Sequence, residues 1–176
     1  MDIKSYILDS IETKTKILND ENIIARIEEV ANVIVKAYKD NKKVLTAGNG
    51  GSAGDAQHIV GELISKVFLD RSAFSAIALT TDTSVITAVS NDFGYEEVFA
   101  RQLQANANSG DVFIAISTSG NSTNIINAFR YRSCSISFRA SCPPAVWISA
   151  QIPTKSQKPP PCATRPCWRL IWRPAR

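Results

Sequence analysis

Proline, cysteine and tryptophan are missing from the first 129 residues of this 176-residue chain, while glycine, aspartate and glutamate are missing from everything after Phe129. Each gap excludes something. A body without cysteine has no disulfide scaffold. The four cysteines beyond it, Cys134, Cys142, Cys162 and Cys167, contain no C-x-x-C pair and no histidine accompanies them, which argues against a zinc site there. Histidine is reduced to a single residue, His58. No apolar run reaches the roughly 18 to 20 residues of a membrane span. Met1, Asp2, Ile3 and Lys4 lack the apolar core of a signal peptide. A soluble, cytoplasmic protein without a membrane partner is expected.

Charge divides at the same point. Residues 1–129 carry 11 basic against 16 acidic residues, a net of −5, and residues 130–176 carry nine basic and no acidic residues. A basic tail raises the question of nucleic acid, because lysines and arginines that neutralise phosphates release counterions. These arginines show neither helical nor strand spacing and are mixed with Pro159, Pro160 and Pro161, so no nucleic-acid partner is expected. The composition divides the chain into a domain, 1–129, and a basic tail, 130–176, with the character of sequence translated out of frame and expected to be poorly ordered.

Within the domain the apolar spacing is clear. Ile3, Ile7, Leu8, Ile11 and Leu18 form a loose helical stripe, and Asn19 and Asp20 offer a cap for a second helix carrying Ile23, Ile24, Ile27, Val30, Ala31, Ile34, Val35 and Tyr38. These two stripes could cover the domain's own core or also meet a partner subunit. Short strands follow at Val44 to Ala47, Ala76 to Leu79 and Asp111 to Ile116, the last continuously apolar as in a strand buried on both faces. Helical patterns lie between them, with turn chemistry at Asn91 to Tyr95 and a helix barely begun at Thr123 to Phe129. Alternating strands and helices predict an α/β fold with a three-layer, doubly wound parallel sheet preceded by two helices. Ligands of such sheets bind beyond the carboxyl ends of the strands.

Two loops sit at such ends. The first holds four glycines in seven positions, Gly48, Gly50, Gly51 and Gly54. Glycine lets the backbone come close to a ligand, and a helix starting here presents free N–H groups and a positive dipole end to an anion. Ser52 could cap that helix and offer its hydroxyl to the same anion. An unliganded tight turn is the bland alternative. The second loop, Ser117, Thr118, Ser119, Gly120, Asn121 and Ser122, sets four hydroxyls around one turn at a helix N-terminus, which suits the three oxygens of a monophosphate ester. Together the loops favour a phosphorylated small molecule. A dinucleotide is less favoured: Gly48, Gly50 and Ala53 nearly match G-x-G-x-x-G/A, but the expected acidic residue at the end of the second strand is not clearly present.

His58 and Glu62, four residues apart, share a helical face beside Asp55, while Ile59, Val60, Leu63, Ile64 and Val67 make the opposite, core-facing stripe. A solvated ion pair is one reading. Metal ligands or an acid–base pair near a sugar attached to the phosphate is the other.

Three motifs in order, Ala47 to Ser52 with Asp55, Ala56, His58 and Glu62, then Asn91 to Gly94, then Ile116 to Ser122, resemble the sugar isomerase (SIS) domain, and within it the phosphoheptose isomerases. The resemblance covers about residues 1–129. It implies a flavodoxin-like SIS fold and a cytoplasmic homotetramer converting sedoheptulose 7-phosphate to D-glycero-D-manno-heptose 7-phosphate, toward the heptose of lipopolysaccharide or surface glycans. It implies that Ser117, Thr118, Ser119 and Ser122 hold the phosphate, that Asn49, Gly50, Gly51 and Ser52 line the substrate, and that Asn91 and Asp92 contact the sugar. Glu62 is implied as the base that moves a proton between C1 and C2 through an enediol. His58 and Glu62 are implied as ligands of one zinc per subunit in members that bind zinc.

The family also places a second histidine and a glutamine on a last helix and completes the sheet with further strands. This sequence has no histidine after His58, and its tail is not expected to supply those strands. A three-stranded sheet with an uncovered edge and weak catalysis are therefore expected. A non-catalytic SIS module that binds a sugar phosphate or a replication-initiation protein, as DnaA-initiator-associating proteins do, is an alternative, as is another phosphosugar aldose–ketose isomerase. The nucleotide sequence tests the reading of the tail: an alternative frame after codon 129 is expected to restore a pattern containing glycine, aspartate and glutamate. If neither frame does, the out-of-frame reading fails.

Overall fold

The computed structural model describes residues 2–134, 145–150 and 169–172. Two helices come first. Helix α1, Ile3–Leu18, is capped by Asp2, and α2, Glu21–Lys39, by Asp20, whose carboxylate accepts the Asn22 and Ile23 N–H groups. These caps satisfy amides that no helical carbonyl can reach. Helix α1 buries none of its residues, leaving Ile3, Ile7, Leu8, Ile11 and Leu18 exposed, whereas α2 turns Val30, Val33, Ile34 and Tyr38 onto the sheet.

Strand β1, Val44–Gly48, leads into α3, Gly51–Ile64; β2, Ala76–Ala78, into α4, Thr83–Phe93; a 3-10 turn, Tyr95–Glu97, into α5, Val98–Asn106; and β3, Val112–Ile116, into α6, Thr123–Cys134. Strands β4, Ala145–Ala150, and β5, Arg169–Trp172, complete a parallel five-stranded sheet in the order β2-β1-β3-β4-β5. One face packs Val44, Val112, Ile114 and Ile116 under α2 and α3. The other packs Leu45, Ala47, Phe113 and Ala115 under Leu79, Val98, Phe99, Leu103, Ile125 and Ala128. Every residue of β1 and β3 is buried, which is why β3 reads as a continuous apolar run and β1 departs from one only at Thr46.

The predicted α/β class, parallel sheet and layering hold, with three corrections. The sheet does not stop at β3, because β4 and β5 extend it, so β3 is an interior strand. Ala145 to Ala150 reads Ala-Val-Trp-Ile-Ser-Ala, a strand-length run rich in β-branched and aromatic residues, which the unusual composition around it masked. Helix α6 extends to Cys134 instead of fading at Phe129. The turn expected at Asn91 to Tyr95 is shorter: α4 continues through Asn91, Asp92 and Phe93 and ends only at Gly94, whose φ of 90° and ψ of 153° suit glycine. The tail outside 130–134, 145–150 and 169–172, expected to be poorly ordered, lies beyond the described residues.

Polar pins fix β1 and β3 to their surroundings. The buried Asp111 carboxylate accepts the Lys43 N–H at 3.0 Å, the Lys43 ammonium at 2.5 Å and the Asn108 N–H at 2.7 Å, tying the entrance of β1 to that of β3. Thr46 donates to the Ala56 carbonyl at 2.9 Å beneath α3.

Asp111→Ala strands a lysine and two amides and is expected to lower stability by about 3 kcal/mol, read from the midpoint of urea unfolding. A second outcome concerns Tyr38, which stacks on Phe74 at 4.4 Å. Burial pushes its phenol up to about 12, against a smaller opposing effect of the Arg71 charge. The unfolded phenol ionises near 10, so its contribution is present below pH 10 and is lost as the pH rises toward 12. An ultraviolet titration should show one late-ionising tyrosine that disappears in Tyr38→Phe.

Candidate functional site

Strand order places the site. From β1 the chain crosses first to β2 on one side and later to β3 on the other, so the turns leaving β1 and β3 diverge and open a crevice at their carboxyl ends. Both small-residue loops occupy that position.

The first loop turns on two glycines with different constraints. A Cβ on Gly48 would lie 2.3 Å from the Ser52 carbonyl oxygen, and Gly50 has φ 55° and ψ −123°, a region that side chains disfavour. Gly50 is also the N-cap of α3, and it has no side chain to cap with. The expected Ser52 cap is therefore corrected: Ser52 lies inside the first turn, buried, with its N–H bonded to the Asn49 carbonyl at 3.0 Å. The physical reason is that the cap falls two residues earlier than the Ser52 hydroxyl suggests, at Gly50, because glycine can enter the turn at positive φ. Gly51 and Gly54 have open space around them.

In the second loop Ser117 is buried, accepts the Gly120 N–H at 3.1 Å and lies 3.3 Å from the Ser122 hydroxyl. Ser119 accepts the Asn121 N–H at 3.2 Å. Thr118 and Ser119 are exposed and Ser122 is half-buried. The four hydroxyls thus divide between shaping the turn and facing outward.

A bridge between the loops was not foreseen. Asn49 donates to the Asn124 side-chain oxygen at 2.9 Å, Asn124 donates back to the Asn49 oxygen at 2.9 Å, and the Tyr95 hydroxyl donates to that same oxygen at 3.0 Å. Neither Asn124 nor Tyr95 has a spacing signal in the sequence. The sequence offers one hint, a second asparagine two residues into the helix that follows the second loop.

On α3, His58 Nε2 is 3.7 Å from Glu62 Oε1, an exposed pair on the side of the helix away from its core contacts. Ile59 and Leu63 do pack on the sheet, but Ile64 and Val67 are exposed, so the expected core stripe is shorter than predicted. The helix ends at Ile64, and Val67 lies beyond it. The Arg71 guanidinium closes this end, donating to the Glu62 and Leu63 carbonyls at 2.9 Å each and lying 4.1 Å above the Phe74 ring. Asn91 and Asp92 are exposed on the last turn of α4, where the Asn91 amide donates to the Asp92 carboxylate at 2.9 Å.

His58 and Glu62 offer two donors to a metal. Among the described residues no third histidine, cysteine or carboxylate joins them in a metal-sized group. Two ligands do not make the four-coordinate site that zinc prefers, so these residues alone do not fit the ion. No helix among the described residues is long and apolar enough to cross a membrane.

Gly50→Ala is expected to destabilise the chain by about 1–3 kcal/mol, whereas Gly51→Ala in open helical space should cost little, both read by thermal unfolding.

The SIS domain family model matches residues 6–133. Phosphoheptose isomerase 2 of Campylobacter jejuni is 56% identical over 129 residues, and the phosphoheptose isomerase of Aneurinibacillus thermoaerophilus 56% over 126, covering 73% and 72% of this chain. The chain spans 64% of the length of each of these two curated relatives. Among solved structures, a phosphoheptose isomerase from Francisella tularensis is similar at a TM-score of 0.73 and 30% identity, over 88% of this chain and 85% of that one. One from Neisseria gonorrhoeae aligns at a TM-score of 0.70 and 32% identity, over 85% of this chain and 72% of that one. With the family model spanning both loops and solved relatives sharing the sheet that holds them, this chain belongs to the SIS domain family and, within it, to the phosphoheptose isomerases.

Proposed function

We propose that this chain binds a seven-carbon sugar phosphate at the β1/β3 crevice and carries the isomerase chemistry of sedoheptulose 7-phosphate. The observation that carries the reading is that both small-residue loops sit at the carboxyl ends of adjacent parallel strands, with His58 and Glu62 on the helix that leaves the first. Phosphate is held by Thr118, Ser119 and Ser122 with the N-terminus of α6, and Ser117 fixes their turn. The backbone of Asn49, Gly50, Gly51 and Ser52 lines the sugar, and Asn91 and Asp92 contact its hydroxyls.

In this reading Glu62 takes a proton from C1. The C1–H electron pair becomes the C1=C2 bond of an enediol while the C2 carbonyl oxygen gains a proton. Returning the proton from Glu62 to C2, with loss of the O1 proton, leaves the aldehyde of D-glycero-D-manno-heptose 7-phosphate. His58 supports the Glu62 charge from the neighbouring turn. Stabilising the oxygen-centred charge needs a further acid, and the second histidine that family resemblance assigns to this task has no counterpart after His58. Zinc held by His58 and Glu62 would need donors beyond that pair.

The same reading makes the protein a cytoplasmic homotetramer serving heptose synthesis for lipopolysaccharide or surface glycans. The exposed apolar side chains of α1, lining a groove with Ile3, Tyr6, Ile7 and Ile11, support assembly. A non-catalytic sugar-phosphate module is the second reading, favoured by the two-donor limit at His58 and Glu62.

Calorimetry and a coupled turnover assay with sedoheptulose 7-phosphate separate these readings. Binding with turnover well below that of a full-length relative is expected, and Glu62→Gln should remove about 10²–10⁴ of any turnover while retaining binding. Binding with no turnover favours the module, no binding defeats both readings, and turnover equal to a full-length relative defeats the expectation of weak catalysis.

A further inference from the structure

We propose that Asn124 is a positioning residue that sets the geometry of the first loop by gripping Asn49, with Tyr95 as its second support. The inference rests on the reading that the two loops share one phosphorylated ligand, and it assigns the part that makes them a single unit. Asn124 is buried at 3% exposure at the start of α6, and its side-chain oxygen also accepts the Ile125 N–H at 2.9 Å. That bond fixes the orientation of the carboxamide, with oxygen toward its own helix and Nδ2 free to reach Asn49. The two amides then pair reciprocally across 75 residues of sequence.

Counting lone pairs shows what this does to Asn49. A side-chain amide oxygen has two acceptor positions. Asn124 Nδ2 and the Tyr95 hydroxyl fill both, and one of the two Asn49 Nδ2 hydrogens goes to Asn124. Asn49 therefore meets a ligand chiefly through its backbone, and its side chain serves as the handle by which the second loop and the 3-10 turn hold the first. The handle lies between Gly48, which has no room for a Cβ, and Gly50, which needs positive φ, so rotation at residue 49 changes the aim of the following amides. Ligand affinity at the first loop thus depends on a residue in the second.

Hydrogen exchange on the ligand-free full chain tests this coupling without assuming any substrate. Asn124→Ala should raise exchange about tenfold in the segment 48–53, and Tyr95→Phe, which removes one hydroxyl from a half-exposed ring, about threefold, with β3 and α2 unchanged. Exchange unchanged at 48–53, or raised throughout the domain, overturns the proposal. Should Asn124→Ala not fold, Tyr95→Phe and the isosteric Asn124→Asp, which loses the donor to Asn49, give the same comparison. Affinity for sedoheptulose 7-phosphate supplies the second test. Asn124→Ala should weaken binding about tenfold in the parent chain and have no further effect in Asn49→Ala, because the two act through one contact. Additive losses overturn the proposal. Absence of binding by the parent chain defeats the sugar-phosphate reading instead, and the exchange data then decide the coupling.

Discussion

Parallel pairing of β1 with β3 is the constraint on which the rest of this molecule depends. Their register brings Val44 opposite Val112 and Gly48 opposite Ile116, so both strands end at the same level. Because β2 lies on the far side of β1, the chain must leave the two strand ends in different directions. A crevice results from topology before any side chain is placed. Burial on both faces makes this pair the rigid center, and the Asp111 and Lys43 contacts at the opposite end stop the strands from sliding.

Helix α3 carries that rigidity to the His58 and Glu62 pair. Its first turn is set by Gly48 and Gly50, and Thr46 and Ala56 tie its underside to β1. Its last carbonyls are held by Arg71, which is itself stacked on Phe74 and through it on Tyr38 of α2. Both ends of the helix are thus fixed by contacts outside it, while the face bearing His58 and Glu62 makes no core contact. A helix held at its ends can present polar side chains without burying them, which in the proposed reading suits proton transfer to a small ligand better than a buried ion pair would.

Much of this could be read from the sequence because it rests on local chemistry. Asp20 as a cap, the apolar runs of β1 and β3, and the glycines of the first turn each act within a few residues of themselves. The features that could not be read arise from distance. Asn124 acquires its role only when β1 and β3 are adjacent, and Arg71 only when the chain after α3 folds back on that helix's end. Ser52 misled because a hydroxyl near a helix start suggests a cap, and nothing local reveals that glycine has already entered the turn. Strands β4 and β5 were hidden by the opposite error: composition averaged over 130–176 concealed short runs of strand character.

With β4 beside β3, the crevice between the first and second loops is flanked by sheet on both sides, so neither loop leaves from an edge strand. Binding and catalysis then make different demands on this chain. In the proposed reading, binding draws on backbone amides and hydroxyls from elements that α3, α6 and their bridging asparagines already hold in place. The proposed proton transfer from carbon would also need a donor at the sugar oxygens, and the single histidine of the chain sits beside Glu62 rather than across from it. Under the proposed reading, two ordered loops without a facing acid would keep affinity better than rate, since a group acting only on the developing charge contributes to the transition state and little to the bound sugar.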